Sequence, residues 1–146
     1  ALVDTVDGVV MYMPPKSSLT SYVFPEGIKT VSDYAFNNCL ELTSVTLSDT
    51  LMTIGNYAFN LCDNLSRIVL PSTDVSLMCD FPSSLTSIGG LAFFNTKFKK
   101  ELPSGFTVVG DGILIDFKPF VDATGNYIEE RPLRCQMPKQ KSHHVL

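Results

Sequence analysis

Two consecutive stretches of the chain, VSDYAFNNCLELTSVTL (31–47) and IGNYAFNLCDNLSRIVL (54–70), repeat one pattern at one spacing. Val31, Ala35, Phe36, Cys39, Leu42, Val45 and Leu47 answer to Ile54, Ala58, Phe59, Cys62, Leu65, Ile68 and Leu70, and the positions in every pair differ by 23. A period this short restricts the chain to a repeat architecture. One such unit cannot bury its own apolar face, so each completes its core only against the next.

The period extends in both directions. Leu19, Tyr22 and Phe24 stand one further period before Leu42, Val45 and Leu47. The segments LTSYVF, LTSVTL and LSRIVL alternate over a length that reads as a half-buried strand. One strand per coil predicts a single stacked parallel sheet. Downstream, LTSIGGLAFFNT repeats LMTIGNYAFNLC, but Ala92 minus Ala58 is 34, which is the period plus 11. The excess is read as a loop inserted at about 72–82, carrying Met78, Cys79 and Phe81 out of register. A longer echo places DGVVMYM (7–13) against DGILIDF (111–117), each an Asp-Gly turn entering a strand. These predict an N-terminal cap over about 1–18 and a C-terminal hairpin cap over about 103–117. Residues 118–146 leave the pattern and are expected to be a tail, packed at first and then mobile.

These blocks carry a family likeness. DYAFNNCLELTSVTL and MTIGNYAFNLCDNLSRIVLP resemble the BspA-type leucine-rich repeats, whose consensus runs approximately I-G-x-x-A-F-x-x-C-x-x-L-x-x-V-x-L-P. LAFFNTKFKKELPSGFTVVGDGILIDF is similar to a closing variant of that family. The likeness covers roughly residues 6–117. Val31-Ser32 stands where the consensus has Ile-Gly. The resemblance implies a leucine-rich repeat solenoid spanning 1–117, mostly β and irregular. It also implies a secreted or surface-displayed protein of host-associated bacteria, with relatives in some parasitic protists, that binds proteins or helps cells adhere. It implies no catalytic activity and no cofactor.

The remaining composition agrees with a binding role. A chain of 146 residues, 45% hydrophobic, is about one domain with ample core. Its net charge of -4 lacks the basic excess that nucleic acid or an anionic membrane would need. No apolar run approaches the roughly 18 residues of a membrane span. The chain begins at Ala1, which fits removal of a leader or a piece of a longer protein. His143 and His144 are the only histidines and lie near the end, so no rigid base completes a Ser-His or Cys-His arrangement. Cys135 with these histidines falls short of the four ligands of a structural zinc site. No metal site is therefore expected. Cys39 and Cys62 would lie one coil apart, about 5 Å at the spacing of neighbouring strands. A disulfide is permitted there but not required, and buried free thiols filling a small slot are the simpler expectation.

The best candidate site is the outward face of the sheet. It comprises Ser21 and Val23, Ser44 and Thr46, Arg67 and Val69, and, after a one-residue slip, Lys99 and Glu101. Small hydroxyl residues flanked by valine and arginine suit a protein ligand met by many modest contacts. Tyr12 and Met13 with Met78 and Phe81 offer an alternative apolar patch. The rival role is structural: related hairpins at both ends would let units assemble head to tail into a fibre.

Overall fold

The computed structural model describes residues 1–74, 76–77 and 79–102, and beyond them 105–109, 112–118, 123–124 and 133–134. The elements, in order, are β1 (Leu2–Asp4), β2 (Val9–Tyr12), β3 (Ser21–Val23), β4 (Thr30–Val31), β5 (Ser44–Thr46) and β6 (Thr53–Ile54). They continue with β7 (Arg67–Val69), β8 (Ser87–Ile88), α1 (Lys97–Glu101), β9 (Gly105–Val109), β10 (Ile113–Lys118) and β11 (Leu133–Arg134). The one short helix leaves the described residues mostly strand and turn, as a repeat fold requires.

Each repeat contributes two strands rather than the expected one. β3, β5 and β7 form one parallel sheet in the register Ser21↔Ser44↔Arg67, Tyr22↔Val45↔Ile68 and Val23↔Thr46↔Val69. β4, β6 and β8 form a second, in the register Thr30↔Thr53↔Ser87 and Val31↔Ile54↔Ile88. This second ladder was hidden because its strands have two residues each, too few for alternation to register. β2 joins it in parallel and β1 closes it antiparallel to β2. A separate sheet, ordered β10-β9-β11, holds an antiparallel pair and the parallel β11.

The turns between the two strands of a repeat are tied as tightly as the strands. Tyr34, Phe36 and Asn38 donate their N–H groups to Asn56, Ala58 and Asn60 carbonyls of the next repeat at 2.9, 2.7 and 2.8 Å. Tyr57, Phe59 and Leu61 do the same to Gly90, Ala92 and Phe94. Two residues per turn take left-handed backbone: Tyr34, Tyr57 and Leu91 at φ 59, 55 and 54°, and Asn38, Leu61 and Asn95 at 63, 59 and 59°. Asparagine suits that region, whereas tyrosine and leucine occupy it at a steric cost that the inter-repeat bonds offset. Gly55 and Gly89 mark the closest approach, since a Cβ there would stand 2.5 and 2.4 Å from the Asp33 and Asn56 amide nitrogens. Ser32 stands at the same point of the first full repeat, its N–H donating to the Val10 carbonyl of β2 at 2.9 Å.

This geometry stacks like on like. Phe24, Phe36, Phe59 and Phe93 form a column with neighbouring centroids 5.7, 5.0 and 5.5 Å apart and planes within 12° of parallel. Ala35, Ala58 and Ala92 line the inside of the turns, all buried. At the last repeat the stacking gives way to edge contacts, with Phe81 and Phe98 set at 83 and 70° to Phe93. Phe81 is therefore core, at 0% exposure, rather than part of an out-of-register loop. The expected insertion instead supplies a further rung: Cys79 makes a parallel bridge to Ile68, and Asp80 N–H donates to the Ile68 carbonyl at 2.7 Å.

Cys39 and Cys62 are free, buried thiols, and Cys62 donates to the Phe36 carbonyl at 2.9 Å. Cys79, by contrast, is disulfide-bonded. The expected division of the tail, and Cys135, His143 and His144, lie outside the described residues.

Removing a ring from the middle of the column leaves neighbours on both sides unsupported. Phe59→Ala should cost about 3 to 5 kcal/mol, read as a lowered denaturant midpoint at unchanged slope. A loss below about 1 kcal/mol would contradict a continuous column.

A second expectation concerns pH. Contact with Cys39 and burial push the Cys62 thiol above its ordinary range, the same contact lowers the Cys39 thiol and so opposes part of the effect, and burial raises the Tyr22 hydroxyl. Cys62 and Tyr22 keep their protons in the folded chain where the unfolded chain would lose them. Their contribution is complete below the unfolded thiol's pKa of about 8.5 and is lost as pH climbs through the alkaline range. Denaturation midpoints should be level near neutrality, then decline above about pH 8.5, less steeply in Cys62→Ala. A midpoint equally steep in both proteins would remove Cys62 from the account.

Candidate functional site

The strand alternation that turns Tyr22, Val45 and Ile68 inward sends the residues on either side of them outward. Ser21, Ser44 and Arg67 thus form one column and Val23, Thr46 and Val69 another, on a single face. Their exposure is graded. Ser21 is exposed and Val23 is 67% exposed, Ser44, Thr46 and Arg67 are half-buried, and Val69 is 7% exposed. Beyond β7 the chain returns alongside it, with Cys79 bridged to Ile68 and the Arg67 guanidinium donating to the Leu77 carbonyl. The open part of the face is therefore its β3–β5 half.

Lys99 and Glu101 do not join this face as strand residues. They lie on α1, whose N-cap Thr96 accepts from Lys99 N–H at 3.1 Å. α1 buries Phe98, whose N–H donates to the Leu65 carbonyl at 2.6 Å, and thus takes the place of another strand. A capping threonine followed by lysines and a glutamate four residues after Lys97 favours one helical turn over an extended run. Lys97 and Glu101 meet at 3.7 Å on its exposed side.

The alternative apolar patch does not form as expected. Tyr12 is 47% exposed, but Met13 is 4% exposed and Phe81 is fully buried. Met13 N–H is drawn to the Ala35 carbonyl at 2.6 Å, and Phe81 closes the end of the phenylalanine column. Met78 lies outside the described residues.

A feature absent from that expectation is an exposed ridge on the turns. Tyr34 and Tyr57 stack with centroids 4.9 Å apart and planes 4° from parallel, and Tyr34 is 51% exposed. Leu91, 46% exposed, takes the same position in the next repeat. The signal was the recurrence of Tyr-Ala-Phe at 34–36 and 57–59, in which the alanine and phenylalanine read as core and the tyrosine passed unnoticed. Beneath the ridge, Asp33 Oδ1 accepts from Asn56 N–H and Asn56 Oδ1 from Gly90 N–H, both at 2.7 Å.

A pocket of ≈ 260 Å³ beside β8 is walled by Gly89, Gly90 and Phe93, with Lys99 as its ionisable group among the described residues. One ammonium supplies no acid–base pair. No group of three or more His, Cys, Asp or Glu side chains is placed to hold a metal among the described residues. No helix there is long and apolar enough to cross a membrane.

Six copies of the BspA type leucine rich repeat region are recognised over residues 12–114, while no curated protein and no solved structure matches the chain. That match spans well over half of the 146 residues and coincides with the stacked strands and turns. The chain belongs to the BspA-type leucine-rich repeat family.

Proposed function

We propose that this chain is a secreted or cell-surface module that binds a protein ligand, its repeats stacked as a solenoid and its contact surface the open half of the β3-β5-β7 face. Members of the family are often surface proteins involved in binding, and the repeat is generally a non-catalytic interaction module. The observation that carries the reading is the pair of outward columns. Ser21, Val23, Ser44 and Thr46 form an uncharged surface, held in register by backbone hydrogen bonds, that a partner can approach without desolvating an ion. The disulfide at Cys79 supports an oxidising compartment, where such bonds persist.

Head-to-tail fibre assembly is the weaker reading. Strand-to-strand growth needs an unpaired edge at both ends of the sheet, and among the described residues β3 offers one while β7 is already met by Cys79.

Beads carrying the chain should adhere to a host-cell or protein-coated surface and release when that surface is digested with protease. Thr46→Arg, which sets a charge on the face, should weaken adhesion about tenfold or more while leaving the circular dichroism spectrum unchanged. Adhesion that survives digestion would sink the protein-ligand reading. Light scattering should give one monomeric mass over a wide concentration range, and open-ended growth would favour the fibre instead.

A further inference from the structure

The two parallel stacks end differently. β1 closes the stack of β2, β4, β6 and β8 at its first strand, and Cys79 meets the other stack at its last. Among the described residues, β3 has a neighbour on one side only. Thr20 and Phe24 bracket that contact: Thr43 N–H donates to the Thr20 carbonyl, and Phe24 N–H to the Thr46 carbonyl, both at 2.8 Å. Alternate residues of a parallel strand serve opposite neighbours. Tyr22 therefore turns its backbone to β5, whereas Ser21 and Val23 turn theirs away. Among the described residues, none bonds to the N–H or C=O of Ser21 or Val23.

Edges of this kind are ordinarily blunted by lysine, proline, a bulge or brevity. Ser21-Tyr22-Val23 carries neither charge nor proline, and its one safeguard is its length of 3 residues. Two donors and two acceptors in alternation are matched by an extended backbone better than by any side chain or sugar.

We propose that β3 accepts an extended segment of a partner protein as an added parallel strand. The ladder itself specifies the chemistry of that segment. Its central position holds Tyr22, Val45 and Ile68, all turned inward, and its flanks hold serine, threonine, valine or arginine. A matching segment places an apolar β-branched residue between two small hydroxyl residues. Its central N–H donates to the Ser21 carbonyl and its central C=O accepts from Val23 N–H. Its central side chain covers the half-buried Tyr22 ring, which packs on Phe24 and Phe36 at 5.4 and 5.3 Å. The edge is read through the backbone of Ser21 and Val23, whereas the outward face is read through side chains that include Ser44 and Thr46, so the two readings can fail separately.

The probe is the peptide LTSVTL, the chain's own residues 42–47. Titrated into the intact chain, it should bind saturably and shift the amide resonances of Ser21 and Val23. Val23→Pro removes a donor that points away from β5, so it should abolish binding while the melting temperature stays near that of the parent. N-methylation of the peptide's central valine should weaken binding about tenfold or more, because the bulky group blocks the ladder, whereas N-methylation of the neighbouring serine should not. The peptide pair decides the matter if Val23→Pro unfolds the chain. Thr46→Arg should leave peptide binding intact. Absence of saturation, or binding indifferent to both the proline and the central N-methyl group, would overturn the proposal. A dimer of the chain that Val23→Pro dissolves would also overturn it, assigning the edge to a second copy.

Discussion

The structure depends on backbone hydrogen bonds that run from one repeat to the next rather than within a repeat. Phe36 N–H to the Ala58 carbonyl, at 2.7 Å, is one of a series that continues through strands and turns alike. Each such bond holds a residue above its counterpart, so side chains cannot be chosen independently. Where one repeat has phenylalanine the next must offer a flat surface, and where one has alanine its neighbour has no room for more. The phenylalanine and alanine columns are consequences of the ladder, and burial of their apolar surface in turn supplies most of the stabilisation.

The same constraint explains the positions that break local preference. Tyrosine and leucine do not favour left-handed backbone, yet Tyr34, Tyr57, Leu61 and Leu91 adopt it. A turn that strayed from this path would leave amides of two repeats unpaired at once. Gly55 and Gly89 answer a different demand, a backbone passing too close for any Cβ.

Much of this was legible in the sequence because the constraint acts residue by residue. The constant interval between like residues named the core columns, and Ala35, Phe36, Cys39, Leu42, Val45 and Leu47 are all buried. The second ladder was not legible, because strands such as Thr30–Val31 give no room for a period of two. Spacing failed again at 72–82, where the excess over the period looked like a detour. Spacing reports covalent distance, whereas the bridge from Cys79 to Ile68 and the burial of Phe81 are tertiary. Thr96 and the Lys97–Glu101 spacing did announce α1, but the expectation of another strand overrode that local signal. Of the candidate face, the outward direction of Ser21, Ser44 and Thr46 followed from alternation. The burial of Val69 did not, since alternation alone would leave it as open as Val23.

The thiols of Cys39 and Cys62 sit sealed in a chain whose Cys79 is oxidised. Only stacking separates these two fates. Before the turns close, all three sulfurs are equally open to exchange, and four cysteines in the chain allow three complete pairings. Correct oxidation therefore becomes a contest of rates. Collapse of adjacent repeats, built from contacts close in sequence, is quick, whereas disulfide formation takes seconds or longer. A chain slowed in stacking would lose that contest, and its two silent cysteines would become the route to misfolding.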